Sequence, residues 1–114
     1  MPQTTTRFAP SPTGLLHLGH VYAAKVARDL ALREGGRFLL RFEDIDHTRT
    51  RPEYYSAMEE DLRWLGLGWD GGAMRQSSRV EAYDTALAVL KEMKAVYPCF
   101  CTRREIEGEV ARIT

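Results

Sequence analysis

The run RFLLRF, Arg37 to Phe42, constrains the fold more than any other stretch. Phe38, Leu39, Leu40 and Phe42 follow one another nearly without a polar break, the pattern of a strand buried on both faces of a parallel sheet. A parallel neighbour needs a crossover, and the preceding chain supplies it. Val21, Ala24, Ala27, Leu30 and Ala31 recur at helical spacing between about Leu16 and Arg33, with Lys25, Arg28 and Asp29 left to face water and Gly35-Gly36 as the stop. Ahead of that helix, TTTRFA reads as a short strand that must end at Pro10 and Pro12, which lack an N–H and hold φ fixed. Strand, helix, strand makes a right-handed βαβ unit. The fold class is therefore α/β, with parallel strands and flanking helices.

Beyond the run, Thr50 and Glu53 have capping-box spacing with Pro52 in the first turn. They open a helix whose Tyr55, Met58, Leu62 and Leu65 form one stripe and which stops around Gly66. LGLGWDGG is a glycine-rich loop, and Ser78 with Glu81 repeats the capping box before a helix with Val80, Tyr83, Leu87 and Leu90 at core positions. VYPCFC reads as a short strand. Thr102 and Glu105 form a third box, and the helix they open is still running at Thr114, which predicts a longer natural chain. No repeat or low-complexity segment interrupts this order, and the boundary falls near Pro98.

At 114 residues the chain is one small domain or a piece of a larger one, able to bury roughly 60–70% of its unfolded surface. Hydrophobic residues make up 44% and charged residues 28%, which excludes disordered, collagen-like and membrane classes. MPQTTT has no basic n-region or apolar h-region, and no apolar run approaches the roughly 20 residues of a membrane span. A cytoplasmic location without a membrane partner is the expectation. The 16 basic and 16 acidic side chains cancel, so any RNA binding must come from local patches.

Between the first strand and first helix stands RFAPSPTGLLHLGH, Arg7 to His20, a poor strand and a poor helix. In an open parallel sheet that junction is the ligand crevice. Helix N-termini favour anions, so a phosphate is expected there. His17 and His20, about one turn apart, would share a face at that site, and Gly19 between them would let a flat base approach the backbone. Two histidines near a helix start are otherwise ordinary surface residues; the prolines, the glycine and the topology together favour the site. In RFEDID, Glu43, Asp44 and Asp46 gather at the carboxyl end of the second strand. A carboxylate there suits an ammonium group, and Glu43 is the candidate, because Asp44 and Asp46 have an alternative as caps of the following turn. Cys99 and Cys101 are too close for an easy disulfide but suit two thiolates on one metal, against the plainer reading of two small residues in a buried strand.

APSPTG followed by HLGH resembles the signature region of the class I aminoacyl-tRNA synthetases, in the branch that activates glutamate. HLGH is a variant of that class's HIGH motif. The resemblance implies the N-terminal half of a Rossmann-like catalytic domain over residues 1–98, and the start of an inserted zinc-binding subdomain over 99–114. It implies an ATP-dependent ligase forming glutamyl-adenylate with Mg²⁺ assisting, with His17, Gly19 and His20 on ATP and the two histidines catalytic. Arg7, Ala9 through its backbone, Ser11 and Glu43 would surround L-glutamate. The chemistry agrees, since a guanidinium grips a side-chain carboxylate bidentately and an acidic group suits an α-ammonium.

YPCFCTR, TRTRPEY after the acidic motif, and RQS at Arg75 to Ser77 resemble short queuosine-modifying members of the same family. These features imply a structural Zn²⁺ on Cys99, Cys101, a tyrosine and a further cysteine, with the remaining ligands beyond Thr114. They also imply a monomer without an anticodon-binding domain, transferring glutamate to queuosine in the anticodon of tRNA(Asp). The resemblance runs from about Thr6 to Arg104. The KMSKS-type loop and the second half of the nucleotide fold fall outside the sequence, so the 114 residues alone are expected to be inactive. Three rivals share parts of the pattern: a discriminating glutamyl-tRNA synthetase, a small nucleotidyltransferase with a similar H-x-G-H, and a non-catalytic nucleotide-binding module.

Overall fold

The computed structural model describes residues 2–114. In chain order it contains β1 (Thr5–Phe8), α1 (Leu18–Arg33), β2 (Arg37–Phe42), α2 (Pro52–Trp64), β3 (Met74–Arg75), a 3-10 turn (Gln76–Arg79), α3 (Val80–Glu92) and α4 (Arg103–Ile113). Two compact units divide the chain, Met1–Val80 and Glu81–Thr114. The expected start of an inserted subdomain near Pro98 lies inside the second.

The first unit is a parallel sheet in the order β1-β2-β3, with Thr6 opposite Phe38 and Phe8 opposite Leu40. The βαβ unit read from the sequence is present, and a second crossover through α2 follows it. Both crossovers step across the sheet in the same direction, so right-handed connections place α1 and α2 on one face. Within these residues one face of β2 is fully covered and the other partly so. Phe38, Leu40 and Phe42 are buried with Ala24 and Ala31 of α1 and Tyr55, Met58 and Leu62 of α2, whereas Leu39 and Arg41 on the other face are only half-buried. That second face, with Arg7, Leu39 and Arg41, lines an open cavity of about 320 Å³.

Helix ends follow the packing more than the local cap signals. At α2 the N-cap is Arg51, which makes no side-chain cap bond; Thr50 instead donates from Oγ1 to the Asp46 carbonyl at 2.9 Å. The Thr50–Glu53 box therefore does not form. A cap contributes about 1 kcal/mol, whereas each large apolar side chain buried on α2 contributes about 1.5–3 kcal/mol. Burial sets the frame, and Pro52 at the first position needs no N–H partner. Ser78 likewise donates to the Arg75 carbonyl at 2.7 Å inside the 3-10 turn, so the Ser78–Glu81 box is absent too.

The helix stops are as expected at Gly35 and Gly66, both at positive φ. After α1, Gly36 donates to the Ala31 carbonyl at 2.7 Å and Gly35 to Leu32 at 3.2 Å, a Schellman ending. Gly36 also lies against β1: a Cβ there would stand 2.0 Å from the Thr4 carbonyl oxygen.

In the second unit the Thr102–Glu105 capping box does form, with both bonds at 3.2 Å. VYPCFC is irregular backbone, not the expected strand: Pro98 removes a donor, and among the described residues no strand pairs with it. On α3, Val80, Tyr83, Leu87 and Leu90 stay exposed instead of forming a core.

Candidate active site

The loop after β1 is pinned to the end of β2. Glu43 donates its N–H to the Pro10 carbonyl at 2.9 Å, and Arg51 donates to the Pro12 carbonyl at 3.3 Å. Pro10 and Pro12 are buried, which proline permits because it has no N–H to leave unpaired. Between them Ser11 is exposed and Ala9 is half-buried, and the Ser11 carbonyl accepts from Thr13 at 2.8 Å. Arg7 is exposed on β1 opposite Leu39. The ends of two adjacent parallel strands and the start of α1 thus meet where open α/β sheets bind ligands.

His17 is the N-cap of α1, and its ring is locked to that of His20. Gly19 donates its N–H to His17 Nδ1 at 3.1 Å, and His17 donates its own backbone N–H to His20 Nδ1, also at 3.1 Å. The ring centroids lie 3.7 Å apart. Because both Nδ1 atoms accept, the proton of each neutral imidazole must sit on Nε2. Each histidine is thereby preset as an Nε2–H donor at a helix N-terminus. Burial and the neighbouring His17 lower the pKa of His20, which favours this neutral form. Any side chain at Gly19 would displace the His17 ring, since a Cβ there would stand 2.9 Å from His17 Cε1.

The three acidic residues of RFEDID part ways. Glu43 accepts from Arg41 Nη2 at 3.0 Å. Asp44 is 1% exposed and accepts from the Tyr55 hydroxyl at 2.6 Å, the Ser77 N–H at 2.8 Å and the Ser77 hydroxyl at 2.6 Å. Burial pushes the Asp44 carboxyl up, but the bonds from Ser77 and Tyr55 outweigh it and hold its pKa below the usual value. Burial and the hydrogen bond to Asp44 push Tyr55 up to about 12, and the Arg75 guanidinium lies 3.8 Å from its ring centroid. Asp46 caps the following turn as expected, accepting from the Thr48 N–H at 3.1 Å and its hydroxyl at 2.7 Å. The turn-cap alternative is wrong for Asp44, which joins α2 to the segment after β3.

Sequence reasoning missed Arg41, whose charge looked like an interruption of an apolar strand. Its alternation with Leu39 and its i,i+2 spacing to Glu43 were the available signals.

With this geometry in hand, the family described as tRNA synthetases class I (E and Q), catalytic domain, matches residues 3–112. The chain belongs to this family. It is 56% identical over 102 residues to a Glutamyl-Q tRNA(Asp) synthetase of Rhodobacter capsulatus, covering 90% of this chain and 37% of that protein. It is 51% identical over 104 residues to Glutamate--tRNA ligase 2 of Erythrobacter litoralis, covering 91% and 23%. Among solved structures, a glutamate tRNA ligase from Elizabethkingia meningosepticum in complex with its amino acid superposes with a TM-score of 0.76 at 32% identity, over 97% of this chain and 24% of that one. The chain thus spans a third or so of the short relatives and about a quarter of the long ones.

Cys99 and Cys101 are free, exposed thiols. Thiolates suit zinc, but two fill only half of a tetrahedral shell. Among the described residues no cluster of three or more His, Cys, Asp or Glu side chains stands ready for a metal. Among the described residues no helix is long and apolar enough to cross a membrane.

Proposed function

We propose that this chain contributes the first half of an adenylate-forming site that activates L-glutamate with ATP. The observation that carries the reading is the His17–His20 pair, two imidazoles whose Nδ1 atoms are occupied by backbone donors at the start of α1. A glutamate α-carboxylate oxygen attacks the α-phosphorus of ATP, the bond to the bridging oxygen breaks, and pyrophosphate leaves with the electron pair. The Nε2–H donors and the helix N-terminus stabilise the charge that builds on the phosphoryl oxygens. Arg7 holds the side-chain carboxylate, Ser11 and the Ala9 backbone line the amino acid, Glu43 faces the ammonium, and Gly19 keeps the floor low for the adenine end. Mg²⁺ bound with ATP neutralises phosphate charge.

The test is glutamate-dependent exchange of pyrophosphate into ATP by the full-length protein. ATP binding without exchange would support a non-catalytic module instead, and exchange indifferent to the amino acid would support a nucleotidyltransferase.

The acceptor we propose is queuosine in the anticodon of tRNA(Asp), with activation proceeding before any tRNA binds. YPCFCTR and the similarity to a Glutamyl-Q tRNA(Asp) synthetase support it. The rival acceptor is the 3′ end of tRNA(Glu), and the 51% identity to Glutamate--tRNA ligase 2 is what speaks for it. Labelled glutamate offered to each tRNA, before and after periodate oxidation, separates the two. Zinc belongs to the first reading: Cys99 and Cys101 supply two thiolates, and two further ligands come from chain outside these residues. Metal analysis should find about one zinc per full-length protein and much less in the C99S/C101S variant; equal zinc in both would remove the pair from the metal.

A further inference from the structure

The acidic end of β2 contains an ion pair that the proposed roles leave unused. Arg41 and Glu43 are two residues apart, so they share the sheet face opposite α1 and α2. Arg41 Nη2 lies 3.0 Å from Glu43 Oε1, and the two side chains are only 29% and 39% exposed. Arg41 lines the same cavity as Arg7 and Leu39. Its Nε is buried and has no acceptor among the described residues. Among the described residues Glu43 is thus the one group that holds this guanidinium, and Arg41 is the one side chain that holds Glu43. The Glu43 backbone is fixed separately, by its N–H on Pro10.

We propose that Arg41 is a positioning residue for amino-acid binding: it fixes Glu43 through Oε1 and leaves Oε2 directed by that bond toward the substrate ammonium. The inference rests on the proposed glutamate site. A free glutamate side chain has three rotatable bonds, and a partner in a fixed rotamer removes that freedom before the ligand arrives. Arg41 also balances the charge of Glu43 on a face that carries Arg7.

The experiment measures KM and kcat for glutamate and for ATP in pyrophosphate exchange, using full-length wild type, Arg41→Met, Arg41→Lys, Glu43→Gln and Arg41→Met/Glu43→Gln. Arg41→Met should raise the KM for glutamate about 10- to 100-fold, the range for losing a hydrogen bond to a charged group, with the KM for ATP within about twofold. Arg41→Lys, which keeps the charge and one donor, should recover part of the loss. The double variant should be little worse than Glu43→Gln alone, because Arg41 acts through Glu43. Thermal unfolding of each variant checks folding. A glutamate KM unchanged in Arg41→Met while Glu43→Gln raises it would overturn the inference and leave the glutamate site standing. Fully additive losses in the double variant would also overturn it. Wild type without glutamate-dependent exchange would overturn the underlying reading, and this inference with it.

Discussion

Replacing His20 with alanine in the full-length protein is expected to slow glutamate-dependent pyrophosphate exchange about 10²–10³-fold, with much smaller changes in glutamate binding. Loss of one preorganised donor to a transition-state oxyanion costs about 3–4 kcal/mol, and that donor here is Nε2–H. A second loss accompanies it. The His17 backbone N–H gives up its acceptor, and the His17 ring, still held by the Gly19 N–H, loses the ring stacked against it. The same bonds predict a pH dependence whose sign is fixed. His20 in the folded protein has its pKa lowered below the ordinary 6.5 by burial and by His17. Its contribution to loop stability is therefore complete above about 6.5 and is lost as pH falls through the lowered folded value. Exchange by the wild type should decline over that acid window, and the decline should be shallower in His20→Ala. Wild-type rates in His20→Ala would take this residue out of the chemistry.

The largest effect on stability is expected at Asp44. Asp44→Ala leaves the Tyr55 hydroxyl, the Ser77 N–H and the Ser77 hydroxyl without their acceptor in a site almost closed to water. Removing one member of such a buried charged network costs about 3–5 kcal/mol, against a typical total of about 5–15 kcal/mol. Ser77→Ala, which removes one of the three donors, should cost about 1–2 kcal/mol. The gap between wild type and Asp44→Ala must itself depend on pH. With its folded pKa held below 3.8, Asp44 stabilises fully above that value, and the stabilisation fades as pH falls through the folded one. Denaturant titrations at neutral and strongly acid pH should show the gap narrow. A pH-independent gap would mean that the cost arises from lost packing.

Periodic signals carried the fold furthest. The α1 pattern and its glycine stop were legible because helix face and helix end both write themselves in local spacing, and the strand at Phe38 to Phe42 was legible from its apolar content. The side on which α1 and α2 land was not, because it depends on the direction of successive crossovers. β3 escaped notice because two residues, Met74 and Arg75, carry no period. Ser77 meets Asp44 across 33 positions, a relation no local pattern encodes. The capping boxes show the same limit from another side: the one at Thr102 formed where packing made no competing demand, and those at Thr50 and Ser78 gave way. At the site, the residue types at Glu43, His17 and His20 pointed to chemistry. The mutual locking of the two rings did not show, since histidine is not a usual helix cap.

Glu43 and Asp44 are neighbours in sequence and occupy opposite sides of one strand end, the first paired with Arg41 and the second enclosed by Tyr55 and Ser77. Their division of labour is a matter of parity. A single residue inserted between Phe42 and Glu43 would turn the acid proposed for the ammonium into the interior and leave the inserted residue, not an acid, beside Arg41. Either acid can be altered by substitution, but the spacing between Phe42 and the pair cannot: even a two-residue insertion, which keeps the parity, would carry Glu43 about 7 Å along the strand, away from Arg41.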